Sequence, residues 1–251
     1  MTASGSERLD RLLSRLGYCS RREVRSWLKQ GLITIDGAVA LSPSERVFPR
    51  HVRVNEEPLD HPDGLTLIYH KSLGSVCSRA DHGRLIYADL PERWTCRKPP
   101  LTSIGRLDKG TSGLLILTDD GWLNHRLSSP KHHIVKTYRV TLDRPLTGNE
   151  PVLFRSGTLM LDGEDRPCLP AELRICGEKE VELALHEGRY HQVRRMFAAI
   201  SNHVTCLERT HIGALSLSDT RLSPGGYQNI EPQELLAWIE KESAPEHSGA
   251  L

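Results

Sequence analysis

No stretch of the 251 residues approaches the ~20 consecutive apolar positions that a membrane-crossing helix requires. The opening Met1-Thr2-Ala3-Ser4-Gly5-Ser6-Glu7 has no apolar centre, so no secretory leader is expected there. The six cysteines (Cys19, Cys77, Cys96, Cys168, Cys176 and Cys206) include no C-x-x-C pair, which argues against a disulfide framework and against a zinc site. That usage suits a reducing compartment, and a cytoplasmic location is expected. A G-x-x-x-x-G-K-[ST] run and an H-E-x-x-H run are both missing, so neither a phosphate-binding P-loop nor a zinc hydrolase helix is predicted. His125, His132 and His133 lack a carboxylate at ligand spacing, and no metal is expected. No internal repeat is present.

What remains is an ordinary globular composition, 38% hydrophobic and 26% charged, enough for one large domain with a small appendage. The net charge is only +1, but it is unevenly spread. Between Glu7 and Arg53 ten Lys or Arg face five Asp or Glu, so this head carries an excess of five positive charges. The rest of the chain is therefore mildly acidic. A basic head on an acidic body points to an anionic polymer as partner of the head.

Leu9, Leu12, Leu13 and Leu16 recur at helical spacing, predicting an amphipathic helix over 8–16 that stops at Gly17. Ser20-Arg21-Arg22-Glu23 has the form of a capping box that opens a second helix, with Val24, Trp27 and Leu28 inward and Gly31 as its stop. Leu32 to Val39 alternates and contains Asp36-Gly37, which predicts a hairpin. Arg21, Arg22, Arg25 and Lys29 then lie on or near one exposed helix face. Two helices and a hairpin in this order resemble the S4 RNA-binding domain, over residues 7–54. The resemblance implies RNA contact by those four cations, where a single charge cluster taken alone is more often a solvated face.

Residues 55–64 are polar and proline-containing and read as a linker. Residues 65–241 follow as a second domain and 242–251 as a loose tail. Strands are expected at 65–69, 113–118, 137–142, 181–185 and 204–208, with helices at 121–127, 191–199 and 232–241. Short turns between strands favour an α+β domain on a mixed, mostly antiparallel sheet. Cys77 and Cys206 fall in apolar strands and read as core thiols.

Three segments of this domain concentrate polar chemistry: Gly105-Arg106-Leu107-Asp108-Lys109-Gly110, Lys136-Thr137-Tyr138, and Leu185-His186-Glu187-Gly188-Arg189-Tyr190-His191-Gln192-Val193-Arg194-Arg195. Asp108 alone would be read as one partner of a loop ion pair. Together the segments resemble the sequence motifs of the pseudouridine synthases that carry an S4 domain, of the type acting on the small ribosomal subunit. By that resemblance Asp108 is the catalytic aspartate with Arg106 beside it, Tyr138 stacks on the target base, Leu185 lines the uracil pocket, and Arg194 pairs with Asp108. Lys136, Arg189, His191 and Gln192 are expected to contact the substrate, with Arg189, Arg195 and Lys136 favoured as phosphate contacts.

The Ser128–His133 run and the Tyr190-His191-Gln192 form of the third motif resemble the small-subunit group. The implied substrate is a uridine of 16S ribosomal RNA, free or in a partly assembled subunit, acted on by a monomer without a cofactor. The rivals are a 23S-directed enzyme of the same family and a non-catalytic S4-type assembly protein. Moving a uracil from its N1 bond to a C5 bond requires a carboxylate, either as nucleophile or as a base at C2′, and the sequence leaves both routes open. Burial under a flipped base raises an aspartate's pKa and an adjacent guanidinium lowers it by about 1–3 units, hence the expected arginine partner.

Overall fold

The computed structural model describes residues 5–78, 80, 82–129 and 132–240. The expected tail, 242–251, lies outside them, as do Pro130 and Lys131 of the Ser128–His133 run.

The N-terminal unit forms as its pattern dictates. Helix Leu9–Arg15 buries Leu9, Leu12 and Leu13 completely. The Ser20 amide donates to the Glu23 carboxylate at 2.7 Å and the Glu23 amide donates back to Ser20 Oγ at 3.4 Å, the reciprocal bonding of a capping box. Helix Val24–Lys29 follows, with Val24 fully buried and Trp27 and Leu28 packed half-buried on the same core. Strands Ile33–Ile35 and Ala38–Val39 pair antiparallel across Asp36 and Gly37, both at positive φ, as the tight hairpin requires.

Residues 55–64 are not a plain linker. Asn55 and Glu56 both adopt positive φ and turn the chain, so that strand Glu57–Pro58 pairs with strand Val52–Val54. The segment thus completes a four-stranded sheet of the N-terminal unit. Its polar composition reflects a turn and an edge strand, not freedom.

The residues after it are pinned as well. Asp60 accepts from Trp94 Nε1 at 2.6 Å and from Arg93, and its amide donates to the Tyr18 hydroxyl at 2.9 Å. Arg97, almost wholly buried, bonds Asp119 at 2.8 Å and the carbonyl of His61 at 2.8 Å. Helix Leu9–Arg15 docks on the same region: the Lys98 amide donates to the Arg15 carbonyl at 2.8 Å. Gly17 lies so close that a Cβ there would sit 2.2 Å from the Arg93 carbonyl oxygen.

The second domain is built on a nine-stranded sheet. Its main path runs Glu172–Ile175, Glu180–Leu185, Lys136–Leu142, Val204–Ile212, Ser112–Thr118, Thr66–Lys71, Tyr227–Asn229. Along that path only Val204–Ile212 and Ser112–Thr118 run parallel, through a short contact pairing Glu208 with Ser112 and Arg209 with Gly113. The sheet is mixed and mostly antiparallel. At the parallel contact Gly113 has φ 112, and a Cβ would meet the Arg209 carbonyl oxygen at 2.3 Å, so the two strands approach only because the side chain is missing.

One half of the sheet carries a core of Val140, Leu183, Leu185, Met196 and Phe197 under helix Gln192–Ala199. The other half is covered on both faces, with Leu67, Tyr69, Leu115 and Leu117 on one and Ile68, Leu114 and Ile116 on the other. Alternation along the Thr66–Lys71 and Ser112–Thr118 strands explains this division. Helix Pro232–Glu240 closes the second face with Leu235 and Ile239. Cys77 is buried and donates its Sγ to the Leu107 carbonyl, but Cys206 is exposed: it lies where strand Val204–Ile212 alternates outward. No helix among the described residues is long and apolar enough to cross a membrane.

Candidate active site

Strand Ser112–Thr118 is preceded by a turn that carries Asp108 and leaves no backbone carbonyl loose. The Leu107 carbonyl accepts from Cys77 Sγ at 3.4 Å and the Asp108 carbonyl from the Thr111 amide at 3.0 Å. The Lys109 carbonyl accepts from the Gly74 amide at 2.8 Å, the Gly110 carbonyl from Arg194 Nη2 at 2.6 Å, and the Thr111 carbonyl from Lys71 Nζ at 2.8 Å. Five consecutive carbonyls are held by the 71–77 segment, by Arg194 and by the turn's own Thr111 amide. Leu107 anchors the turn in the core, and the Asp108 side chain is left 39% exposed at its crest. A carboxylate held by its backbone and partly exposed at its side chain is preorganised to act on something that arrives.

Lys71 has no exposed surface. Burial lowers its pKa, while the charges of Cys77 and Asp108 work in the opposite direction. It is thus a buried cation within the field of Asp108.

The floor of the site is the sheet. Tyr138 pairs with Leu183 on one side and Arg209 on the other, and packs against the cores of both sheet halves. Lys136, two residues earlier on the same face, pairs with Leu185. The register slips between Thr137 and Tyr138, an irregularity that re-aims side chains of the kind often found beside sites.

The third segment closes the site from above. His191 adopts φ 49, stacks on Tyr190 with ring centroids 3.9 Å apart, and brings Nε2 to 3.4 Å from Asp108 Oδ1. The Arg194–Asp108 pair implied by the resemblance does not form: Arg194 gives Nη2 to the Gly110 carbonyl and Nη1 to the Val204 carbonyl at 3.0 Å. The Asp108 turn presents its backbone to this arginine, not its carboxylate. Among the described residues the ion contact of Asp108 is His191.

Arg189 and Gln192 also differ from expectation. Arg189 donates to Glu187 and to the carbonyls of Arg166 and Pro167, and Gln192 is buried between Glu187 and the Arg189 amide. Arg195 bonds Glu164 and the Asp162 carbonyl. These side chains fasten the 162–167 loop to the third segment, so their donors are already committed within the protein.

Asp108, Tyr138, Arg194, Arg106, Leu185, Lys136, Arg189, His191 and Gln192 nevertheless all line one cleft of about 920 Å³. Arg106 is exposed at its edge. Two further cations belong to the site and were not singled out in the sequence, Lys71 and Arg209. Lys71 ends the strand Thr66–Lys71, and Arg209 lies between Glu208 and Thr210 in the strand Val204–Ile212. The expected strand 204–208 stopped one residue short of Arg209, whereas the observed one runs to Ile212.

On the N-terminal unit, Arg21, Arg22, Arg25 and Lys29 are all exposed. The acids nearby are spent elsewhere: Glu7 pairs with Arg15 and Arg11, and Asp10 with Arg8. Among the described residues the four cations have no ion-pair partner.

A basic S4-like unit beside a cleft with an aspartate, a tyrosine and buried cations defines an RNA-directed enzyme class. Residues 66–199 match the family described as RNA pseudouridylate synthase, and residues 7–49 match the S4 domain. The chain belongs to the RNA pseudouridylate synthase family. It is 36% identical over 237 residues to the ribosomal small subunit pseudouridine synthase A of Escherichia coli (strain K12), covering 92% of this chain and 100% of that protein. It is 39% identical over 233 residues to the protein of the same name from Yersinia pestis, covering 91% and 96%. A solved pseudouridylate synthase structure shares 35% identity and superposes with a TM-score of 0.64, covering 92% of this chain and 98% of the other.

Proposed function

We propose that this enzyme isomerises one uridine of 16S ribosomal RNA to pseudouridine. The observation that carries the reading is the single cleft in which the Asp108 carboxylate, the Tyr138 ring and the apolar Leu185 converge. The choice of RNA is supported by the names of the small-subunit relatives and by the likeness of the Tyr190-His191-Gln192 form to that group.

In this reading the uridine leaves its stack, at a cost of a few kcal/mol, and slides between Tyr138 and Leu185. Stacking on the tyrosine, worth ~1–3 kcal/mol, offsets much of that cost. The Asp108 carboxylate then either attacks C1′ or takes the C2′ proton. In both routes the C1′–N1 bond breaks, the base turns, C5 joins C1′ and the C5 proton is released, with no net oxidation. Arg194 acts through the Gly110 carbonyl as a positioning residue for Asp108. Arg21, Arg22, Arg25 and Lys29 hold RNA phosphates outside the cleft, and Arg106 does so at its edge. The protein works as a monomer in the cytoplasm, on free RNA or on a partly assembled small subunit.

The test is incubation with 16S and 23S transcripts and with small-subunit assembly intermediates, followed by carbodiimide-dependent primer-extension mapping. One new stop in 16S RNA is expected. A stop confined to 23S RNA would move the substrate, and none on any RNA would leave a binding protein.

A further inference from the structure

A cationic pair in the floor of the cleft has no anionic partner. Arg209 is 4% exposed and uses Nε to hold the Leu114 carbonyl at 2.8 Å. Its Nη2 is buried without a hydrogen-bond partner. Lys136 lies on the neighbouring strand, and burial together with the charge of Arg209 lowers its pKa. Among the described residues neither makes an ion pair. A buried donor left unmatched costs roughly 1–3 kcal/mol, so most folds supply a partner. Here the partner is missing at the point where the sheet face opens into the cleft, with Leu185 and Ile212 around it and Tyr138 directly across the strand pair.

Those surroundings distinguish the charge being served. A phosphate is permanently ionised and hydrated, and exposed cations such as Arg106 at the cleft edge suit it. A dry cationic floor beside the base-stacking tyrosine suits a group that enters neutral and becomes negative only during reaction. Uracil is such a group: when the C1′–N1 bond breaks, its electron pair departs with N1 and spreads onto the ring carbonyl oxygens.

We propose that Arg209, assisted by Lys136, is the receptor for the negative charge that the uracil ring acquires as its bond to C1′ breaks. The inference rests on the pseudouridine-forming reading of the cleft. Bookkeeping is closed by the substrate itself: C1′ is taken by the Asp108 carboxylate or becomes part of a C1′–C2′ double bond after loss of the C2′ proton to Asp108. The base carries the bonding pair until C5 returns it to C1′. No oxidant, reductant or co-reactant enters. Fixed donors aimed at developing charge in a water-poor site cost no reorganisation at the moment of reaction.

The test compares Arg209→Met, Arg209→Lys and Lys136→Met with the unmodified enzyme in single-turnover reactions at saturating RNA. The target carries either uridine or 5-fluorouridine, whose fluorine makes the departing base a weaker base. Because a fluorinated C5 has no proton to release, both arms are read as disappearance of the N1-linked nucleoside. Arg209→Met is expected to slow uridine rearrangement about 10²–10³-fold, the loss typical of one removed transition-state donor. RNA affinity and its salt dependence should stay unchanged, and Arg209→Lys should recover part of the rate.

The deficit should shrink at least about tenfold on 5-fluorouridine, because a better leaving group needs less help. An equal deficit on both bases would overturn the proposal, as would a loss that appears in affinity with a shallower salt slope. Should Arg209→Met fail to fold by thermal melting, Lys136→Met carries the same comparison with the same two outcomes. Failure of the underlying reading has a separate signature: the unmodified enzyme itself would form no pseudouridine.

Discussion

The turn that carries Asp108 and the turn and helix that carry Arg21, Arg22, Arg25 and Lys29 treat polar groups in opposite ways. In the turn, the carbonyls of residues 107–111 are all bonded within the protein, and only the carboxylate is left to act. On the N-terminal unit, Glu7 and Asp10 pair with Arg8, Arg11 and Arg15, Glu23 accepts from the Ser20 amide, and the four cations are exposed. Bond making at C1′ tolerates errors of a fraction of an ångström, whereas attraction of a polyanion needs only charge within a Debye length. Precision and affinity are thus built by different means in one chain.

The comparison breaks most visibly at the carboxylate. Asp108→Asn should abolish product while leaving RNA affinity near normal; detectable turnover by this variant would remove Asp108 from the reaction. A smaller effect is expected one layer out. Arg194→Ala removes the donor to the Gly110 carbonyl and should lower kcat about 10²-fold with RNA affinity unchanged, the scale of a misplacement near 1 Å. If the lost rate were instead regained by raising RNA concentration, Arg194 would be a binding residue. On the N-terminal unit the effect should reverse in kind. Arg21→Gln with Arg22→Gln should weaken RNA binding and flatten the slope of log affinity against log salt by about one per residue, with the rate at saturating RNA intact. An unchanged slope would show that these charges never meet phosphate.

The smallest effect concerns Asp60. Burial raises its pKa, but hydrogen bonds from Trp94 and Arg93 outweigh that and hold it below the ordinary 3.8. A carboxylate depressed in the fold stabilises fully above its unfolded pKa and loses that contribution as pH falls through the folded value. The stability gap between the native enzyme and Asp60→Asn, about 1–3 kcal/mol for hydrogen bonds to a charged group, should therefore be constant from pH 7 to 5 and close below about pH 4. Urea midpoints measured across that range would refute this by showing a gap that does not narrow as the pH falls from 5 to 2.

Much of the fold was legible because its elements obey local rules. The leucine spacing of the first helix, the Ser20–Glu23 cap and the Asp36-Gly37 turn each act within a few residues, and each forms as read. Asn55-Glu56 was not legible as a turn, since two residues without glycine rarely adopt positive φ and tertiary pairing of Glu57–Pro58 has to hold them there. The candidate site divides similarly. Asp108, Tyr138 and Leu185 were legible as candidates because their motifs are contiguous, and the structure brings the three to one cleft. Lys71 and Arg209 were not, because neither falls in one of the contiguous motifs and a buried cation has no periodic signature. In the structure Arg194 holds the backbone carbonyls of Gly110 and Val204, and backbone acceptors carry no residue-type signal.

Gly17 lies hard against the Arg93 carbonyl, and Asp60 and Arg97 lock the strand that follows. If the exposed cations of the N-terminal unit hold RNA as proposed, they and the cleft are set like the jaws of a caliper. On that reading a transcript engages both only if its target uridine and the phosphates offered to Arg21 and Arg22 are spaced to match, and the joint between the domains would then read RNA shape. Linking two sites raises avidity only where geometry lets both engage at once. A bulkier residue at position 17 would open the jaws and blur the choice of uridine before it touched the chemistry.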